Sequence, residues 1–184
     1  MVVEKELKEN LLSLLEKTPL DRVTVSMLAA KTGISRSSFY YYYDSVYEIA
    51  DEIEEEFIRG LGMENELVVQ VFRTSGPEKT KENIHHVLEY VSKNLQMIRV
   101  LSGPNGDPSF QEKLHTRLKN ISQVIYSVSK LSPAKIEVLT EAAAAEQWYV
   151  YKWWANHEDE ITLDEMVDIV SDIYLDPLKW IKRK

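Results

Sequence analysis

Between Thr24 and Ser45 the chain reads TVSMLAAKTGISRSSFYYYYDS, and it must break direction at Gly33. Thr24 is suited to N-cap a helix of two or three turns whose apolar side holds Met27, Leu28 and Ala30. Gly33 stands where a helix C-terminus wants a residue that tolerates positive φ. Two residues later Ser35 can cap a second short helix, running to about Tyr41. In front lies a longer helix in which Leu7, Leu11, Leu14 and Leu15 repeat at helical spacing, ended because Pro19 disfavours helix at Thr18. A helix, a tight turn containing glycine and a second short helix rich in hydroxyls is the helix-turn-helix arrangement, whose second helix enters the DNA major groove.

The tyrosine run follows from the same geometry. Successive helical residues turn by about 100°, so the rings of Tyr40 to Tyr43 fan around the axis and cannot all be buried. Phe39 and Tyr43 lie four apart and face the core together, which leaves Tyr40, Tyr41 and Tyr42 to point toward a duplex. Their hydroxyls suit phosphates and their ring faces suit sugar or thymine methyl. Ser35, Ser37 and Ser38 at a helix N-terminus can pair with phosphate or base edges, where free backbone N–H groups attract an anion. Arg36 is the residue best equipped to grip guanine or phosphate. Read alone, the run is more commonly an aromatic patch in a helical bundle behind an exposed serine cap, because buried aromatics outnumber DNA-reading ones; the surrounding pattern reverses that balance.

Charge is placed unevenly. The 184 residues carry a formal net charge of −8, yet residues 22–43 hold Arg22, Lys31 and Arg36 with no carboxylate. Residues 44–56 then hold Asp44, Glu48, Asp51, Glu52, Glu54, Glu55 and Glu56 with no basic residue. A small basic island followed by an acidic helix is compatible with local phosphate contact, whereas the whole-chain charge speaks mainly to solubility. The absence of cysteine leaves no disulfide framework and no thiolate metal site. The start MVVEKELKENLL is too charged for a signal peptide, and no run approaches 18 apolar residues, so a cytoplasmic protein that does not span a membrane is expected.

The rest of the chain is helical with legible stops. Ser45 and Glu48 form an S-x-x-E capping box for a helix with Ile49, Ile53, Phe57 and Leu61 on its apolar side. Pro77 can open a segment continuing through Ile84, Val87, Leu88, Val91, Leu95 and Ile98. SGPNGDPS at 102–109 is a loop, a helix resumes near Phe110 and runs to about Ser129, and Ser132-Pro133 starts the next. Thr162 and Glu165 make a capping box for the last helix, which Asp176-Pro177 kinks or restarts. No strand alternation and no internal repeat is present.

Residues 22–49, RVTVSMLAAKTGISRSSFYYYYDSVYEI, resemble the N-terminal signature of the TetR family of transcriptional regulators, T-V-x-x-(I/L)-A-x-x-x-G-(V/I)-S-x-x-(S/T)-(F/L)-Y-x-(H/Y)-F. The resemblance implies an all-α protein of about nine helices. A three-helix, homeodomain-like helix-turn-helix domain would occupy residues 1–46, and a larger helical domain for dimerisation and ligand sensing residues 47–184. By position it implies phosphate or base contacts from Ser26, Arg36, Ser37, Ser38, Tyr40, Tyr41 and Tyr42. Val46 departs from the pattern, standing where many members carry a phosphate-binding lysine, which suggests fewer phosphate contacts per subunit. The stretches LSGPNGDPSFQEKL and EQWYVYKWW resemble a C-terminal type found in TetR regulators of low-GC bacteria.

Residues 142–155, AAAAEQWYVYKWWA, hold three strongly polar positions, Glu146, Gln147 and Lys152. A helix apolar nearly all round must be covered on several sides, and a second subunit is the natural cover. Ala142, Tyr149 and Trp153 on this helix, with Met166, Val170, Ile173 and Tyr174 on the last, are the expected four-helix, two-fold dimer interface. A membrane belt of Trp and Tyr is the rival, but the segment is too short to span. A ligand pocket would lie among the helices at 77–101, 107–130 and 132–156. Its candidate lining is Tyr90, Met97, Phe110, Tyr126, Gln147, Trp148 and Tyr151, with Glu146 and Gln147 the polar pair of interest. The loop GPNGDP is a lid or a plain solvent turn.

His85, His86, His115 and His157 show no ligand spacing beyond the adjacent pair, so no metal and no cofactor is expected. With no glycine-rich phosphate loop, no cysteine nucleophile and no H-E-x-x-H, an enzyme is not expected. The sequence therefore predicts a homodimeric, DNA-binding transcriptional regulator, a repressor released from a palindromic operator by a small molecule. The alternative is a TetR-like coactivator controlled by a protein partner, which the acidic fourth helix and Val46 favour.

Overall fold

The computed structural model describes residues 2–61, 77–127 and 129–175. These are all-α, with no strand among the described residues. In chain order the helices are α1 (Val2–Leu15), a 3-10 turn (Leu20–Arg22), α2 (Val25–Thr32), α3 (Arg36–Tyr42), α4 (Val46–Gly60), α5 (Pro77–Ser92), α6 (Leu95–Leu101), α7 (Phe110–Ser127), α8 (Pro133–Asn156) and α9 (Leu163–Leu175). They fall into two compact units, one of residues 1–60 and 96–114, the other of residues 61–95 and 115–184.

The first unit is set by its helix ends. Thr24 accepts the Met27 N–H at 3.2 Å, and Gly33 closes α2 in the left-handed region at φ 76°, a conformation that costs a residue with a Cβ about 1 kcal/mol or more. Ser35 then accepts the Ser38 N–H at 3.0 Å and starts α3. Ser45 accepts the Glu48 N–H at 3.2 Å, while the Glu48 carboxylate takes the Asp44 N–H. With the turns fixed in this way, Leu7, Leu11 and Leu15 of α1, Leu28 of α2, Phe39 of α3 and Ile49, Ile53 and Phe57 of α4 share one buried core. α2 buries Leu28 and Ala29, not the expected Met27 and Ala30, which are exposed. Its short length lets α1 claim only one narrow stripe.

Residues 96–114 complete that unit. Phe110 packs on Phe57 with ring centroids 6.3 Å apart, and the loop at 102–109 is tied down by the Leu20 N–H bonding the Asn105 carbonyl at 2.9 Å. Gly106 is required here by proximity: a Cβ would lie 2.1 Å from the Leu101 carbonyl oxygen.

In the second unit α9 packs along α5, and Lys81 bonds Asp168 across them at 2.5 Å. The continuous helix expected from Pro77 through Ile98 is two helices. Ser92 Oγ bonds the Glu89 carbonyl and Asn94 Nδ2 the Tyr90 carbonyl, and such side-chain competition with the backbone ladder ends a helix. Within α8, Trp148, Tyr151 and Trp154 are buried, Trp154 donating to the Ile161 carbonyl at 3.3 Å. Thr162 and Glu165 form the reciprocal capping box that starts α9. Residues 176 and 177 lie outside the described residues.

Candidate nucleic-acid interface and ligand cavity

The first turn of α3 gathers the hydroxyls that the sequence singles out. Ser35 Oγ lies 2.8 Å from both Ser37 Oγ and Ser38 Oγ, and all three residues are exposed, as is Arg36. Of the three tyrosines expected to face outward, Tyr40 and Tyr41 do and Tyr42 is half-buried, while Tyr43 caps α3 in extended backbone. Phe39 is fully buried and Tyr43 nearly so, their rings 6.4 Å apart, whereas Tyr40 is 50% and Tyr41 81% exposed. Tyr42 is partly buried, edge-on to Tyr41 at 5.1 Å. Ser26 is exposed on α2. An exposed arginine, three hydroxyls and two outward phenols on one short capped helix are the groups that grip phosphate and base edges.

Val46 is buried with Ile49, Ala50 and Ile53 on the inner face of α4, which turns Tyr47 outward at 50% exposure. Sequence reading missed Tyr47, because its side is fixed only once the phase of α4 is known. Much of the acidic run is engaged inside its own unit. Glu52 meets Tyr43 and Lys8, Glu56 meets Lys8, and Asp51 and Glu54 both meet Lys113. Asp51, Glu54 and Asp107 also lie close enough together to hold a cation, and the Lys113 ammonium occupies that place. The similar group of His85, His86 and Glu89 has Glu89 ion-paired to Lys93 at 2.9 Å.

The second unit holds a partly open cavity of about 350 Å³, within the range of small-molecule sites. α5 contributes Thr80, Asn83, Ile84, Val87 and Leu88, and α7 contributes Ile121, Ser122, Ile125 and Tyr126. The far wall is Ala143, Glu146, Gln147, Val150 and Tyr151 of α8 with Val170, Tyr174 and Leu175 of α9. Of the expected lining, Tyr126, Gln147 and Tyr151 are present. Met97 and Phe110 are not, being core residues of the first unit, and neither Tyr90 nor Trp148 reaches the cavity wall. Thr80 and Asn83 also line it, one turn before Ile84 and Val87 on the apolar stripe, which carries the inward face of α5 back to these polar residues.

Every wall of the cavity carries polar groups. Gln147 donates to Ser122 Oγ at 3.4 Å and to the Ala143 carbonyl at 3.2 Å. Tyr174 donates to Glu146 Oε2 at 2.8 Å. Burial pushes the Glu146 carboxyl above its ordinary range, only partly offset by that bond. The expected dimer residues divide. Tyr149 and Trp153 are 66% and 45% exposed, and Ala142, Ile173 and Tyr174 are also exposed. Met166 and Val170 are 3% and 7% exposed: that stripe of α9 faces the interior of its own chain and is not available to a second subunit.

A capped helix pair presenting a hydroxyl- and arginine-bearing helix defines a DNA-binding regulator of the helix-turn-helix class. Residues 11–53 match the bacterial regulatory proteins of the tetR family, and residues 78–176, more than half of the chain, match a transcriptional regulator C-terminal region. The chain belongs to the TetR family of transcriptional regulators, which are not enzymes. An uncharacterised HTH-type transcriptional regulator of Bacillus subtilis (strain 168), YxbF, is 22% identical over 159 residues, 84% of this chain, which spans 40% of that relative's length.

Similar solved structures include the fatty acid degradation regulator FadR from Bacillus halodurans, with TM-score 0.67 and 11% identity over 96% of both chains. A TetR-like transcriptional regulator from Rhodococcus sp. RHA1 gives 0.66 and 18% over 96% of both. The dihydroxyacetone kinase operon activator DhaS gives 0.64 and 14% over 97% of both. At these identities the likeness is one of fold. Among the described residues no helix is long and apolar enough to cross a membrane.

Proposed function

We propose that the chain is a homodimeric repressor of the bacterial cytoplasm that binds a palindromic operator, one α3 per half-site, and leaves it when a small molecule fills the cavity. Residues 1–46 bind DNA; residues 47–184 dimerise and sense the ligand. The observation that carries the reading is the exposed set Arg36, Ser37, Ser38, Tyr40 and Tyr41 on a helix capped by Ser35. Ser26 and Tyr42 add flanking phosphate contacts. The apolar exposed residues Tyr149 and Trp153 of α8, with Ala142, Ile173 and Tyr174, form the dimer contact. Ligand binding favours a dimer geometry in which the two copies of α3 no longer match successive major grooves, so operator affinity falls by the ligand's differential binding energy.

The test is selection of bound duplexes from a random pool at two salt concentrations. An enriched inverted repeat whose affinity falls steeply with salt supports a dimeric operator binder, with a log–log slope of about −0.9 per neutralised phosphate. A folded dimer that enriches nothing turns the reading toward a coactivator working through a protein partner. Buried Val46 and the acidic α4 favour that second reading, and the solved structure named as an operon activator has a similar fold.

A further inference from the structure

Glu54, the wholly buried carboxylate of the first unit, is met by a cation, pairing with Lys113 at 2.7 Å. Glu146 differs. It lines the cavity, its Oε2 accepts from the Tyr174 hydroxyl, and no basic side chain among the described residues pairs with it. Its charge reaches Tyr126, Tyr151 and Tyr174, whose phenols are all pushed up, by burial first and by that carboxylate second. The carboxylate and these three phenols therefore share the cavity lining with the aliphatic side chains of Ile84, Val87, Ile125 and Val150.

We infer that the cavity receives a lipophilic organic cation: a protonated amine whose ammonium pairs with Glu146 and whose apolar body lies along Ile84, Val87, Ile125 and Val150. An ammonium is the head group that favours the ionised carboxylate against the burial that raises its pKa. An anionic head group would meet the carboxylate's repulsion, and an alcohol would leave the charge unneutralised. The inference rests on the ligand-responsive reading above only for its consequence, release of DNA.

The test titrates the full-length protein at neutral pH with decylamine, decanol and decanoate, which share one chain and differ in head group, reading heat or tryptophan fluorescence. Decylamine is expected to bind most tightly, and Glu146→Gln, an isosteric change, to weaken it about tenfold or more while leaving decanol nearly unchanged, the scale of a charged hydrogen bond. Val150→Trp, which fills the cavity, should weaken all three alike. The inference is overturned if decanol or decanoate binds the parent as tightly as decylamine, if Glu146→Gln keeps the amine preference, or if none of the three binds. Operator release is scored separately. An amine that binds through Glu146 without releasing DNA overturns ligand-controlled repression and keeps the head-group assignment, whereas release by decanoate does the reverse.

Discussion

The hydroxyl of Tyr43 donates a 2.6 Å hydrogen bond to Glu52 Oε2, joining the end of α3 to the middle of α4. The TetR signature places phenylalanine at this position, and a ring alone serves the core, where Tyr43 meets Phe39. Here the ring is kept and its oxygen is used. Lys8 of α1 reaches the other Glu52 oxygen at 3.2 Å and Glu56 at 2.7 Å, so one polar cluster ties α1 and α4 to the end of α3. Burial raises the phenol's pKa and the bond to Glu52 raises it further; the same bond holds the Glu52 carboxyl below its ordinary range.

Tyr43→Phe should lower unfolding free energy by about 1 kcal/mol, toward the weak end for a bond to a charged group because Glu52 is partly solvated. The pH dependence has a definite sign. Glu52 has a depressed folded pKa, so its contribution is present above the ordinary value of 4.5 and is lost as pH falls through the folded value. The gap between parent and variant in urea midpoint should narrow on acidification; a gap that widens would remove Glu52 as the relevant partner.

Arg36→Ala should cost roughly 1–3 kcal/mol on the selected operator and flatten discrimination at one base pair per half-site. Tyr42→Phe should weaken all duplexes alike by about 1 kcal/mol, because a phosphate contact carries no sequence information. Competition binding against single-position operator variants separates the two behaviours. Parent-like binding by both variants would mean that α3 is not the recognition helix.

Trp153 is half-exposed and stacks on His157 with centroids 4.4 Å apart, while Met166 is buried inside its own chain. The two are therefore expected to fail differently. Trp153→Glu should yield folded monomers in sedimentation velocity, since a charge in an apolar contact must be desolvated for the dimer to form. Met166→Ala should instead leave the dimer intact and lower thermal stability by about 2–5 kcal/mol, the range for a truncated core side chain. A dimeric Trp153→Glu protein would take α8 out of the interface.

How much of this was legible depended on whether a signal was local. The caps at Thr24, Ser35, Ser45 and Thr162 and the left-handed Gly33 are decided by a few neighbouring residues, so spacing alone located the helix-turn-helix. The outward turn of Tyr40 and Tyr41 needed only helical phase, whereas Tyr43 caps the helix in extended backbone. Facing between helices is not local. Met97 and Phe110 were expected to line a pocket and Met166 and Val170 to meet a second subunit, but which neighbour an apolar side chain meets is set by packing, and all four are buried in the interior of one chain. The break at 92–95 was hidden because Ser92 and Asn94 are ordinary helix-surface residues until their side chains take backbone carbonyls.

Lys113 donates to Asp51 at 2.6 Å and to Glu54 at 2.7 Å, and Glu54 is wholly buried with its second oxygen unpartnered. Burial pushes the Glu54 carboxyl up to about 7, the Lys113 bond opposing that rise. A raised folded pKa means that the proton is held more tightly in the folded chain. The stabilisation is full below the ordinary 4.5 and is lost as pH rises through about 7. Lys113→Met removes the opposing cation and should destabilise by about 3–5 kcal/mol above pH 7, since it leaves a buried charge uncompensated. Below pH 4.5 the loss should shrink, because Glu54 then takes a proton in both folded and unfolded chains. The double variant Lys113→Met with Glu54→Gln should recover much of that loss and flatten the profile. Urea midpoints across this interval decide the matter: a Lys113→Met profile parallel to the parent's would show that Glu54 stays ionised and finds water instead.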